Sequence, residues 1–234
     1  QMVGDYIFIQ HGQIFFKESV LKNRYLYPGK FDYILASSDN ETNILKKYGW
    51  KDEQIIKSGL PRWDLLNDNT ISEKSIFIMF TWRITSPIEF KYSWYYKKLL
   101  SLLNNSDFHN YLEENNIKIS FANHHALKTN SGVDFIVNHP NIEMITPVEI
   151  SKYIKKSSLL ITDLSSIAFD FMFQNKPVIL YGLDRGDKLL EKNQYIDMEA
   201  LKEKQSTFPN IFFYENEVIE KIKYYIENDF ILEQ

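Results

Sequence analysis

Four places in this chain carry residue types that could do chemistry, and each directly follows an apolar run. Thr162-Asp163-Leu164-Ser165-Ser166 comes after Leu159-Leu160-Ile161, and the apolar Ile167, Phe169, Phe171 and Met172 then continue at helical spacing. Two hydroxyls and free backbone N–H groups at the positive end of a helix suit a phosphate. Taken alone, such a cluster more often just caps a helix through Asp163 or Ser165. His11 follows Tyr6–Gln10 and precedes Gly12, whose lack of a side chain allows a sharp turn or a close ligand approach. Arg83 follows Ser75–Phe80, and His124 and His125 follow Ile117–Phe121. Singly, a histidine is most simply a surface or core residue and Arg83 an ion-pair partner.

Together these residues fit transfer from a phosphate-bearing donor. A neutral histidine can accept a hydroxyl proton near pH 7. A second histidine or an arginine can neutralise charge on a leaving phosphate, while serine hydroxyls hold the remaining oxygens. The sequence has no Asp-x-Asp, no Walker-type glycine loop and no HExxH pattern. Asp184 and Asp187 in Asp-Arg-Gly-Asp read as a turn. The expected chemistry is therefore metal-independent, with no metal site and no cofactor.

Elements that would position these residues alternate between strand and helix. Strands are expected at Tyr6–Ile9, Tyr33–Ala36, Gln54–Ile56, Ser75–Phe80, Ile117–Phe121, Ile142–Ile145, Leu159–Ile161 and Pro177–Tyr181. Helices are expected at Glu41–Tyr48, Tyr92–Leu103, Phe108–Asn115, Val148–Lys155 and Glu215–Glu227. Strands separated by helical stretches of this length imply parallel sheets, with ligands at the strands' carboxyl ends. The polar stretch 67–74 is the expected boundary between two lobes, 1–70 and 71–234.

The chain has 234 residues, 44% hydrophobic and 15% aromatic, which is ample for a sizeable core. Its formal charge of -4 and pI of about 5.8 point away from nucleic acid. With no cysteine, disulfides, thiolate metal sites and cysteine nucleophiles are excluded. No apolar run approaches transmembrane length, and no charged-then-apolar leader is expected. The chain opens Gln1-Met2 and enters an apolar run almost at once, as a piece of a longer protein would.

The ordered motifs resemble those of the CDP-glycerol glycerophosphotransferase family, the teichoic-acid and capsule polymerases and primases of bacteria. Gln10-His11-Gly12 resembles the family's His-Gly-Thr motif. Gly59-Leu60-Pro61-Arg62-Trp63-Asp64-Leu65-Leu66 resembles its Gly-x-Pro-Arg-x-Asp-x-Leu segment, and Phe80-Thr81-Trp82-Arg83 its Pro-Thr-Trp-Arg. His124 falls where the family has a histidine after a strand. Thr162–Ser166, with Phe169-Asp170-Phe171 and Lys176-Pro177, resembles its Thr-Asp-Tyr-Ser-Ser block. Gln13 stands for the family's Thr, Phe80 for its Pro and Leu164 for its Tyr. Asn123-His124-His125 departs from a Pro-His-Pro-like context, so that one of the two histidines is a packing residue in the plainer reading.

The resemblance implies an α/β, GT-B-like fold of two Rossmann-like lobes with parallel sheets and an interlobe cleft. The N-terminal, acceptor-side lobe is expected to be incomplete and the C-terminal lobe to bind the CDP donor. It implies transfer of glycerol phosphate, or another polyol phosphate, from CDP-glycerol or CDP-ribitol to an acceptor hydroxyl, with release of CMP. His11 would be the general base, and His124 would stabilise the donor pyrophosphate or assist the leaving group. Gly12, Arg83, His125, Asp163, Ser165 and Ser166 would bind substrate, with Asp163 also shaping the turn. Arg62 and Asp64 are expected to hold the segment joining the lobes. The implied acceptor is lipid-linked or a polysaccharide, placing the enzyme in the cytoplasm at the inner face of the membrane. A GT-B glycosyltransferase using a nucleotide sugar and a non-catalytic assembly module are the alternatives.

Overall fold

The structure, a computed structural model, describes residues 4–16, 28–66, 73–81, 87–123, 139–185, 201 and 210–233, with the side chains of 87–89 left aside. The chain forms two compact units, Gln1–Asp68 with Gln194–Ile196 and Asn69–Asn193 with Asp197–Gln234.

The first unit is built on three parallel strands in the order β1 (Ile7–Phe8), β2 (Tyr33–Ala36), β3 (Ile55–Lys57). Helix α1 (Asp39–Lys47) connects β2 to β3. Ser38 caps it by accepting the Glu41 N–H at 3.2 Å, and acidic residues in the first turn and lysines in the last complement its dipole. The helix stops at Gly49, whose φ of +93° lies in the left-handed region that favours glycine. The chain then turns back so that the Trp50 N–H reaches the Leu45 carbonyl at 3.2 Å. Trp50 and Leu45 thereby join Ile14, Ile34, Ala36 and Ile55 in a small core.

The second unit holds a six-stranded, wholly parallel sheet. Its strands are β4 (Glu73–Met79), β5 (Lys118–Ala122), β6 (Ile142–Ile145), β7 (Ser157–Thr162), β8 (Val178–Tyr181) and β9 (Ile211–Phe212). The spatial order is β6-β5-β4-β7-β8-β9. The chain winds outward from β4 through β5 and β6, then returns to β7 and winds out the other way. Strand order therefore reverses between β4 and β7, and in such sheets the carboxyl ends of those two strands flank a binding crevice.

Helices cover both faces of this sheet, which is why β7 is buried along all six residues and reads as an unbroken apolar-and-hydroxyl run. On one face, Ile76, Ile78, Leu159 and Ile161 pack against α3 (Trp94–Leu103), α4 (Ser106–Glu114) and the closing helix α7 (Glu215–Glu227). On the other, Phe77 meets Tyr153 of α5 (Ile150–Lys156) at 6.3 Å between ring centroids and Phe171 of α6 (Ile167–Phe173) at 6.2 Å. Ile76, Phe77 and Ile78 alternate between the faces, as the two-residue strand repeat requires.

The helix expected over Tyr92–Leu103 is two elements, α2 (Pro87–Tyr92) and α3, because Ser93 leaves helical geometry and caps α3 by accepting the Tyr96 N–H at 3.1 Å. Strand β9 was not expected. Two residues show no periodicity, and Ile211–Phe212 is a strand only because it pairs with β8.

Candidate functional site

The residues that could do chemistry and are described form two groups, one in each unit. In the first, the loop after β1 presents His11. His11 is exposed, while Gln10, Gly12, Gln13 and Ile14 around it are buried. Four elements hold the loop. The Gln10 amide donates to the Leu35 carbonyl at 3.0 Å and to Glu41 Oε1 at 3.1 Å. The Ile14 N–H donates to the same Glu41 oxygen at 3.0 Å. The Gln13 amide, standing where the resemblance leads one to expect Thr, turns inward to Ser37 Oγ at 2.7 Å. The Arg62 guanidinium donates to the His11 carbonyl.

That last bond joins two sequence motifs 51 residues apart. Arg62 sits in a short 3-10 helix, Pro61–Leu66, anchored by the buried side chains of Leu60, Trp63 and Leu66. Arg62, expected to hold the segment between the lobes, holds the backbone of the His-Gly loop through this bond. Asp64 on the same turn is exposed.

In the second unit, Asp163 lies at the end of β7 with 0% exposure. Its Oδ1 accepts the Thr81 backbone N–H at 2.8 Å and its Oδ2 accepts the Thr81 hydroxyl at 2.5 Å. The Tyr95 hydroxyl, from α3, donates to the Thr81 carbonyl at 2.8 Å. One residue earlier in the same clasp, the Thr162 hydroxyl donates to the Met79 carbonyl at 2.5 Å. These bonds tie the ends of β4 and β7 together at the point where strand order reverses. Asp163 was expected as a substrate contact or, in the plainer reading, a helix cap. Its carboxyl group faces Thr81, two residues before Arg83 in the sequence.

The turn after Asp163 enters α6 at Ser166, which takes the N-cap position without a side-chain cap bond. Ser165 is buried at 8% exposure, and its Oγ accepts the Ile167 N–H in a long 3.5 Å contact. Ser166 is half-buried. Behind the turn, Lys176 reaches the carbonyls of Ile154 and Lys155 at the C-terminal end of α5, where a cation is favoured. Burial pushes its ammonium down to about 8. The lysine of the family-like Lys-Pro pair thus closes α5.

Of the expected site residues, the structure describes His11 and Gly12 in the first unit and Asp163, Ser165 and Ser166 in the second. Arg83, His124 and His125 lie outside the described residues. Among the described residues, no group of three or more His, Asp or Glu side chains gathers as metal donors would.

Compared with known proteins, residues 5–231 match the family described as CDP-glycerol:poly(glycerophosphate) glycerophosphotransferase. The chain belongs to this family. The minor teichoic acid biosynthesis protein GgaB of Bacillus subtilis (strain 168) is 29% identical over 239 residues, covering 96% of this chain and 25% of GgaB. The teichoic acid glycerol-phosphate primase of the same organism is 31% identical over 171 residues, covering 66% of this chain and 40% of the primase. This glycerophosphotransferase-family chain thus spans a quarter to two-fifths of the curated relatives it matches. Among solved structures, the wall teichoic acid polymerase TagF shares the fold with a TM-score of 0.66 over 98% of this chain and 62% of that one, at 18% identity. A TagF histidine variant soaked with CDPG overlays with a TM-score of 0.55 over 86% of this chain and 50% of that one, at 20% identity. At such identities the likeness carries the fold, which is GT-B-like.

Three supporting residues have contacts that a motif-based reading of this family member does not assign. Thr81 belongs to the Phe80-Thr81-Trp82-Arg83 motif, but nothing local pointed to its bonds with Asp163, 82 residues away, and Tyr95, which donates to the Thr81 carbonyl from α3, carried no signal. Glu41 did carry one. Ser38-Asp39-Asn40-Glu41 is a capping-box pattern, in which the glutamate turns back onto the start of its helix. Here the box is displaced by one residue, and Glu41 accepts the N–H of Ser37 rather than that of the N-cap.

Proposed function

We propose that this chain carries the transfer step of a polyol-phosphate transferase, moving glycerol phosphate from CDP-glycerol to an acceptor hydroxyl of a teichoic acid or capsular polymer. Family membership over residues 5–231 supports the reaction class. The observation that carries the assignment is an exposed His11 on a loop whose flanking residues are buried and hydrogen-bonded. A general base must be accessible and must not move when it accepts a proton.

In the reaction, His11 takes the proton of the acceptor hydroxyl as that oxygen bonds to the phosphorus carrying glycerol. The bond from that phosphorus to the bridging oxygen breaks, and CMP leaves with the bonding electrons. Arg83, Ser165 and Ser166 hold the phosphate oxygens, and His124 stabilises the departing phosphate. Asp163 acts through Thr81, fixing the strand end from which the chain proceeds to Arg83. The acceptor we infer is lipid-linked, so the protein works at the inner face of the membrane. No helix among the described residues is long and apolar enough to cross one.

The test is CMP release by the full-length protein from CDP-glycerol and from CDP-ribitol, with a lipid-linked acceptor, beside the His11→Ala variant. One CDP-polyol should be turned over, and the variant should lose at least about two orders of magnitude, the scale of general-base catalysis. Equal CMP release by variant and wild type refutes the role of His11. Turnover of a nucleotide sugar with no response to either CDP-polyol refutes the reaction.

A further inference from the structure

Glu41 is a buried carboxylate that no motif absorbs. It is 1% exposed, and four donors converge on it from two directions. Oε1 accepts the Gln10 amide at 3.1 Å and the Ile14 N–H at 3.0 Å. Oε2 accepts the Ser37 N–H at 2.7 Å and the Ser37 hydroxyl at 2.8 Å. The three residues between Gln10 and Ile14 are His11, Gly12 and Gln13. One side chain therefore grips the His-Gly loop on both sides and fastens it to the turn between β2 and α1.

The same network closes on itself through the Gln13 amide, which donates to Ser37 Oγ while that hydroxyl donates to Glu41. Glu41 also lies in the first turn of α1, where a negative charge is favoured by the helix dipole. A buried carboxylate costs desolvation, which the four donors offset here, and an apolar residue of similar volume would leave those donors without an acceptor. What an apolar residue cannot do is fix the position of four separate donors at once. A fully satisfied buried network specifies geometry in this way.

We propose that Glu41 is the positioning residue for His11, holding the loop so that the imidazole meets the acceptor hydroxyl in register. This rests on the reading of His11 as the acceptor-side base. The prediction concerns kcat rather than donor affinity, because the expected donor contacts Arg83, Ser165 and Ser166 belong to the other unit.

The experiment compares the full-length wild type with Glu41→Gln, Ser37→Ala and His11→Ala. Glutamine keeps the shape but faces one pair of donors with an NH2 group, so the grip fails on one side. Glu41→Gln should lower kcat by about 10²-fold, the scale of a misplacement near 1 Å, with the KM for CDP-glycerol within about twofold of wild type. Ser37→Ala, which removes the hydroxyl but keeps the N–H, should lower kcat in the same direction by less. It also carries the test if Glu41→Gln does not fold. A second readout needs no turnover: the rate at which diethyl pyrocarbonate modifies His11, followed by mass spectrometry, should change several-fold in either variant while the fold persists by circular dichroism.

Wild-type kcat in a folded Glu41→Gln, beside an inactive His11→Ala, overturns the proposal and leaves the function standing. So does a loss of kcat that only matches the unfolded fraction. Absence of CMP release in the wild type overturns the function instead. The His11 modification rate then decides on Glu41, an unchanged rate in both variants counting against it.

Discussion

Removing the Asp163 carboxyl group should destabilise the second unit by an amount that can be worked from its bonds. In Asp163→Ala the buried Thr81 N–H loses its acceptor, and an unsatisfied buried amide costs about 1–3 kcal/mol. The Thr81 hydroxyl loses its acceptor as well, adding about 1 kcal/mol. The total is roughly 2–4 kcal/mol. Thr81→Val keeps the N–H bond and removes only the hydroxyl, so it should cost about 1–2 kcal/mol. Because both variants break the hydroxyl bond, the double variant should cost less than the sum, with a coupling of about 0.5–2 kcal/mol. Urea unfolding followed by circular dichroism measures each value from the shift in midpoint at constant slope. If Asp163 were chiefly a substrate contact, Asp163→Ala would weaken CDP-glycerol binding and leave the midpoint near wild type. A loss under about 0.5 kcal/mol, or strict additivity with Thr81→Val, would refute the positioning role.

Two further outcomes are expected. Phe171→Ala removes a ring with 0% exposure that packs on Phe77 beneath the turn, and it should cost about 3–5 kcal/mol in urea unfolding. A loss below about 1.5 kcal/mol would mean that α6 is not anchored there. His139 stacks on His109 at 3.5 Å between ring centroids, and burial, then the neighbouring His109, lowers its pKa from the ordinary 6.5. The native state therefore binds this proton less readily than the unfolded chain. The resulting stability is complete above pH 6.5 and is lost as pH falls through the native pKa. Between pH 7.5 and 5 the wild type should lose more stability than His139→Gln, and equal losses would contradict this.

Much of the fold could be read from residue types. Tyr33–Ala36, Ile142–Ile145 and Glu215–Glu227 fall within the bounds that their apolar patterns imply. Those patterns are strong because each segment buries a full face. The break at Ser93 was harder to see, since apolar residues continue through it and only the cap geometry divides the two helices. Strand β9 was invisible because two residues have no period, and a strand of that length exists only through its neighbour.

Within the candidate site, the chemical groups were legible and their duties were not. His11 and Ser166 read as polar tips of elements, because a polar residue after an apolar run stands out locally, and the structure finds them exposed and half-buried there. Asp163 read the same way, yet it points inward to Thr81, 82 residues earlier in the chain. Arg62 read as a structural residue between lobes, and nothing local showed that it would hold the carbonyl of His11. Sequence by itself determined most of the strands and helices, since apolar periodicity and capping are local properties of a few successive residues. Only the tertiary structure decided which polar groups support others. That support comes from hydrogen bonds such as Asp163 to Thr81 and Glu41 to Gln10 and Ile14, and these form only when parallel strands far apart in the chain end side by side.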